Sequence, residues 1–364
     1  MPRPVSIPSF SRMALQFLRM GAIGYGGPIA LVALMEQEIC GRLRWISRAE
    51  FTQAFVYCKL FPGPVAYQMA VWMGYRLRGR WGGFVAGGCF LLPAFVLILL
   101  ISIFYQSLQL NQSMMPAMKG LRAGAMVLIL QSLLGLFKPY QSVPRAWALI
   151  VISGVLMYFF PRYEPLIVIG MGIVEILRAK MSFGLRMIFP WPILFQLFWI
   201  HFKAGAFVFG TGFAIIPFLE AHVVSRLHWL TGPEFLDGIA FGQITPGPVT
   251  ITSVFIGYRV ASFVGAVVAL VGMYLPGLIM ILWILPKLLK HLEGRAWLTQ
   301  FQEGAIPAVI GCLSGAAVVL GRFSLDSPKT GFIFLVTSIA CFFLKLPGWV
   351  VIPLGGLLGY VANA

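Results

Sequence analysis

The sequence predicts an all-α polytopic membrane protein built from two homologous repeats, with Gly/Pro-broken helices inside the membrane. Three observations carry this prediction. Of the 364 residues, 59% are hydrophobic and 10% charged, whereas soluble domains carry about 25% charged residues. The stretches 84–105, 260–286, 304–320 and 331–344 hold no charged residue, and about 20 apolar residues carry a helix across a bilayer core. The chain also matches itself when shifted by roughly half its length.

Apolar runs of this kind argue for helices, because backbone groups in lipid must be satisfied within the segment. A barrel would instead show short alternating segments. Residues 1–20 lack a signal-peptide layout: Arg3, Arg12 and Arg19 are scattered and no cleavage site follows. Nothing soluble is expected at either end, so function is expected from the membrane part itself.

The net charge is +16, from 27 Lys and Arg against 11 Asp and Glu. In a soluble protein this would suggest nucleic acid. Here the basic residues fall between apolar runs, as at Arg76, Arg78 and Arg80 and through 287–295. That is the pattern of cytoplasmic loops, so no nucleic-acid partner is expected. Part of the excess cation could line an anion path. Five cysteines without CxxC spacing read as small buried hydrophobes. Four histidines without a ligand pattern give no metal site. Neither a metal nor a cofactor is expected, which leaves a membrane-bound reductase without a ligand set.

The repeat is specific. Gly21, Gly26, Ala30, Glu36, Arg42, Trp45 and Glu50 recur without a gap as Gly205, Gly210, Ala214, Glu220, Arg226, Trp229 and Glu234. Pro62-Gly63-Pro64-Val65 recurs as Pro246-Gly247-Pro248-Val249. After a one-residue slip, Gly74-Tyr75-Arg76 matches Gly257-Tyr258-Arg259 and Pro93 matches Pro276. The two units are 1–186 and 187–364. The loop 107–115 is uncharged while its counterpart at 287–295 is basic, and 76–80 is basic while its counterpart keeps only Arg259. Equivalent loops thus face opposite sides, which predicts inverted repeats, a common plan of alternating-access carriers.

Two segments of each unit are apolar yet interrupted. The first is Gly24 to Pro28, with Gly26 and Gly27, matched by 208–212 with Gly210, Thr211 and Gly212. The second is Pro62-Gly63-Pro64, matched by Pro246-Gly247-Pro248. Proline is tolerated at a first helical turn and not in a helix interior, so Pro28, Pro64 and Pro248 read as starts of half-helices. Ser47/Glu50 and Thr231/Glu234 fit capping boxes. A helix from Ser47 to Phe61 would climb about 20 Å, which places the Pro-Gly-Pro turn inside the core. Whether the broken segments cross or turn back is open. A helix N-terminus there offers free N–H groups and partial positive charge, a ready anion site.

Polar residues sit beside the breaks. Lys59 precedes the first Pro-Gly-Pro turn and Gln243 the second; Thr245, Thr250 and Thr252, with Tyr67 and Gln68, flank them. Ionisable residues in membrane segments are functional candidates, Lys59 first among them. Arg19 and Lys203 are either substrate ligands or snorkelling end residues. Glu36 and Glu220 are either coupling groups or partners of basic residues.

Gly26-Gly27-Pro28, then Pro62-Gly63-Pro64-Val65-Ala66 and Gly74-Tyr75-Arg76, resemble the chromate ion transporter family, as do Thr245 to Thr250 and Gly257-Tyr258-Arg259 in the second unit. The likeness covers nearly the whole chain. It departs at Tyr25, where Phe is usual, and at Lys59, whose role therefore does not carry over. The resemblance implies an inner-membrane carrier of the two-repeat type that exports chromate, with sulfate as the natural competitor. The expected partners are chromate, sulfate and the lipid bilayer, with a homodimer left open.

Overall fold

The structure, a computed structural model, describes residues 8–25, 27–60, 63–110, 112–141, 143–159, 167–168, 170–171, 193–207, 212–287 and 296–363. Every element among them is helical. The first repeat holds α1 (Phe10–Ile23), α2 (Gly27–Met35), α3 (Arg48–Leu60), α4 (Val65–Leu110), α5 (Met115–Phe137) and α6 (Pro144–Phe159). The second holds α7 (Ile193–Ala206), α8 (Ile215–Leu219), α9 (Gly232–Ile244), α10 (Thr252–Ile279), α11 (Ala296–Ser324), α12 (Pro328–Phe342) and α13 (Gly348–Ala362). Four stretches are long and apolar enough to cross a bilayer: Val65–Tyr105, Met115–Tyr140, Val249–Lys287 and Ile306–Ser324. Large apolar side chains such as Phe104, Phe263, Phe332 and Phe343 point outward, as a lipid-facing surface requires. The chain is a multi-pass membrane protein.

Each repeat opens with a helical hairpin. α1 stops at Gly24, and α2 runs on into a π-helical turn, Glu36–Arg42. Gln16 donates to Glu38 at 2.8 Å and Arg12 lies 6.0 Å over the Trp45 ring. Early residues of α1 therefore face late residues of the following segment, so the chain has doubled back. α7, α8 and the π-helical turn Glu220–Arg226 repeat this plan, with Lys203 5.9 Å over the Phe218 ring.

The second hairpin settles how the Pro-Gly-Pro segments run. The Ser47 hydroxyl accepts the Glu50 N–H at 3.2 Å, and Thr231 and Glu234 form a complete capping box. The same two glutamates accept from arginines further on: Glu50 from Arg76 at 2.8 Å, Glu234 from Arg259 at 2.6 Å. Glu50 stands at the entry of α3, whereas Arg76 stands well along α4. Their contact requires the chain to reverse at the intervening turn. Gly63-Pro64 and Pro246-Gly247-Pro248 thus lie at the tips of re-entrant hairpins, with α3 and α9, 13 residues each, reaching about 20 Å inward.

A further reversal follows at once. Arg78 and Gly79 leave helical geometry, as do Ala261 and Ser262. Gly74 then packs on Gly82, and Gly257 on Gly265. Residues eight apart in a straight helix would stand about 12 Å apart, so α4 and α10 are each two arms folded against each other. The long second arms cross the interface between repeats. Gly83 packs on Leu282, while Gly87 packs on Tyr67, whose ring meets Tyr274 at 4.9 Å. Moving forward along one arm moves backward along its equivalent. Equivalent helices are antiparallel, as inverted repeats require.

The outer helices are exchanged. Gly120 and Gly124 of α5 lie against Gly355, Gly359 and Ile352 of α13, and Gly311 and Gly315 of α11 lie against Gly154 of α6. At these positions a Cβ would collide with the facing backbone, so small residues alone permit the approach.

Candidate functional site

The hairpin tips of both repeats converge at the centre of the molecule. The Gly247 N–H of the second Pro-Gly-Pro turn donates to the Gly24 carbonyl of the first break at 2.8 Å. Gly277 lies against Pro64, and its equivalent Ala94 lies against Gly247. Gly212 lies against Val249 and Thr250. Pro93 and Pro276 interrupt the two long arms at this level.

Glycine is required at both tips. Gly63 has φ +138° and Gly247 φ +106°, conformations that L side chains rarely adopt. The buried Gln68 amide folds over Gly63, where a Cβ would stand.

The centre is lined by neutral hydrogen-bonding groups. Thr250 Oγ1 and the Tyr274 hydroxyl are 2.7 Å apart, and the Tyr274 ring leans edge-on against Tyr67. Thr245 Oγ1 donates to the Gly242 carbonyl at 3.2 Å, and Thr252 Oγ1 to the Val249 carbonyl at 3.0 Å. Gln243 Nε2 and Ser253 Oγ flank the second turn, buried and without a hydrogen-bond partner among the described residues. A buried unsatisfied donor costs about 1–3 kcal/mol, and such groups in a native fold call for an explanation. Donors without acceptors, beside helix N-termini, suit an oxyanion.

Of the residues that sequence reasoning selects, Gly63, Pro64, Gly212, Gln243, Thr245, Pro246, Gly247 and Pro248 lie at these converging turns. Gly27 and Pro28 open α2, and Lys59 lies in the last turn of α3. Gly26, Pro62, Gly210 and Thr211 lie outside the described residues. Arg19 is exposed on α1, and Lys203 half-buried on α7. Glu36 faces Arg48 at 3.8 Å; Glu220 is buried and accepts from Ser225 at 2.8 Å, so its partner is a hydroxyl rather than a basic residue.

Sequence reasoning missed one cluster. Arg122 of α5 donates to both carboxylate oxygens of Asp237 of α9, at 2.6 and 2.8 Å, and the Tyr105 hydroxyl donates to the same carboxylate. Arg259, paired with Glu234, lies 5.5 Å over the Tyr105 ring. The network joins the two repeats and has no copy at the equivalent level, where Gln53 stands for Asp237. A signal existed: Asp237 is an acidic residue inside an apolar segment.

The chromate transporter family model matches residues 11–176 and 195–360. A chromate transport protein of Cupriavidus metallidurans is 32% identical over 96% of this chain and 92% of its own. A probable chromate transport protein of Synechococcus elongatus is 31% identical over 97% of this chain and 95% of its own. A chromate transport protein of Pseudomonas aeruginosa is 26% identical over 99% and 93%. No solved structure matches the chain significantly. With both repeats matched and relatives aligned almost end to end, the chain belongs to the chromate transporter family, whose members are membrane transporters and not enzymes.

Proposed function

We propose that this protein exports chromate from the cytoplasm across the inner membrane, by alternating access at the converging hairpin tips. The observation that carries the reading is the meeting of re-entrant tips from opposed repeats, with Gly247 bonded to Gly24 and the unsatisfied donors of Gln243 and Ser253 beside them. Tips approaching from opposite sides leave a central site that either side can reach when one hairpin shifts. The oxyanion is held by backbone N–H groups at helix starts and by amide and hydroxyl side chains. Such ligands match a tetrahedral dianion and select weakly between chromate and sulfate.

A dianion leaving an inside-negative cell moves down the electrical gradient. Two charges release about 4.6 kcal/mol per 100 mV, enough to drive export without nucleotide hydrolysis. Uptake of sulfate is the second reading, since the same ligands serve it; it would need co-transported cations. The test is flux into inverted vesicles under an imposed membrane potential. Chromate uptake, suppressed by sulfate and abolished by Pro64→Ala with Pro248→Ala, is expected. Sulfate movement without chromate movement would replace the substrate, and full transport by the double variant would remove the tips from the mechanism.

A further inference from the structure

We infer that Arg226 and Lys203 form an anion-docking lane in the second repeat, where His222 stands in place of a carboxylate, leading a doubly charged oxyanion from the surface to the central turns. The first repeat has no equivalent. This rests on the reading of the chain as an oxyanion carrier.

The comparison of equivalent positions carries the inference. In the first repeat Arg42, at the foot of the hairpin, is neutralised: its Nε donates to Glu38 at 2.8 Å and its Nη2 reaches both Glu38 and Gln16. Gln16 in turn donates to Glu38 at 2.8 Å. Arg226 occupies the place of Arg42, but His222 replaces Glu38 and Ile200 replaces Gln16. The carboxylate that closes the first foot is missing from the second.

The cations nevertheless remain. Lys203 stands where Arg19 does, four residues before Phe207 at the hairpin turn. Among the described residues, no ion pair involves Lys203 or Arg226. The nearest carboxylate in sequence, Glu220, is engaged by Ser225. His222 Nδ1 lies 2.8 Å from the Phe218 carbonyl, and its ring stacks on Phe218 at 4.2 Å. Lys203 has the same Phe218 ring as its aromatic partner. Arg226 is exposed and Lys203 half-buried, so the two cations step inward from the surface toward the turn, while the buried His222 adds no carboxylate to offset them.

Like charges placed together without a counter-ion repel, and a multivalent anion relieves that repulsion. Clefts lined by one sign of charge raise local counter-ion concentration and capture rates by about 10–1,000-fold. Because the repeats are inverted, the two feet face opposite sides of the membrane. The carrier thus has one mouth whose arginine is paired with a carboxylate and another whose equivalent arginine has no ion pair among the described residues.

The experiment is initial-rate flux in proteoliposomes of the full chain, with chromate varied at low and high ionic strength. Arg226→Gln and Lys203→Gln are each expected to raise the KM for chromate on the order of tenfold, with little change in kcat and a weaker salt dependence. His222→Glu, which rebuilds the arrangement of the first repeat, is expected to raise it further. Arg226 is exposed, so its substitution carries little risk to folding. An unchanged KM and salt dependence for Arg226→Gln and Lys203→Gln would overturn the lane. The same holds if the variants alter only the response to phosphatidylglycerol in the vesicles, which would assign the cations to a lipid phosphate. If the unaltered protein carries neither chromate nor sulfate, the carrier reading fails and takes the lane with it.

Discussion

Arg122 and Asp237 come from different repeats and meet in a bidentate pair, with both side chains buried. Neither has a charged counterpart in the other half: Gln53 stands for Asp237, and Leu313 stands for Arg122 once Pro116, Gly120 and Gly124 are set against Pro307, Gly311 and Gly315. The pair is therefore a point at which the two repeats differ, and it pins α9 to α5.

Removing one partner of a buried ion pair strands the other charge, at about 3–5 kcal/mol. Arg122→Leu and Asp237→Leu are each expected to lower the yield of folded protein, while Arg122→Met with Asp237→Leu recovers most of it. Size-exclusion profiles of the solubilised variants check this. A double variant no better than either single would show that the damage is not the stranded charge.

The tip glycines make a separate prediction. Alanine at Gly63 or Gly247 meets a positive φ, at about 1–2 kcal/mol, and runs into Gln68 or Ala94. Both variants are expected to lose most chromate flux. Gly88→Ala, where a Cβ meets nothing within 4 Å, is expected to transport normally. Equal behaviour of all three would detach the tips from transport.

Gln243→Ala and Ser253→Ala test whether the unsatisfied donors serve a ligand. Each removes a buried donor that has no hydrogen-bond partner among the described residues, so thermal stability is expected to hold or rise by up to about 1 kcal/mol. The affinity for chromate is expected to fall several-fold. A stability loss without an affinity change would reassign them to the fold.

Gly120→Leu and Gly311→Leu place a branched side chain against facing backbone in the two exchanged helix pairs. Overpacking of this kind costs about 1–3 kcal/mol or more. Both are expected to yield aggregated protein on solubilisation, whereas Gly135→Leu, with open space around it, is expected to behave as the parent.

Much of this architecture is legible in the sequence because it is local. Capping boxes, Pro-Gly-Pro turns and apolar runs each depend on a few consecutive residues, and the duplication makes every one of them appear twice. The direction of the broken helices was not legible. It follows from Glu50 meeting Arg76 and Glu234 meeting Arg259, contacts 26 and 25 residues apart in the chain, which no single segment reports. The Arg122–Asp237 pair was hidden for a related reason. Searching for repeats selects residues that have copies, and these two have none. The lane of Arg226 and Lys203, with His222 in place of a carboxylate, emerges only when the copies are compared for what differs.

The exchange of outer helices sets a schedule for biogenesis. The glycine face of α5 is covered by α13, and Gly124 must wait for Ile352. At about 5–20 residues per second, those intervening residues take roughly 10–45 s to synthesise. Throughout that interval α5 stands in the membrane with its narrow glycine surface open to lipid or to other nascent chains. The glycine face of the first half is therefore covered only once the end of the second half has been made, and a ribosome that stalls midway leaves these glycines facing lipid.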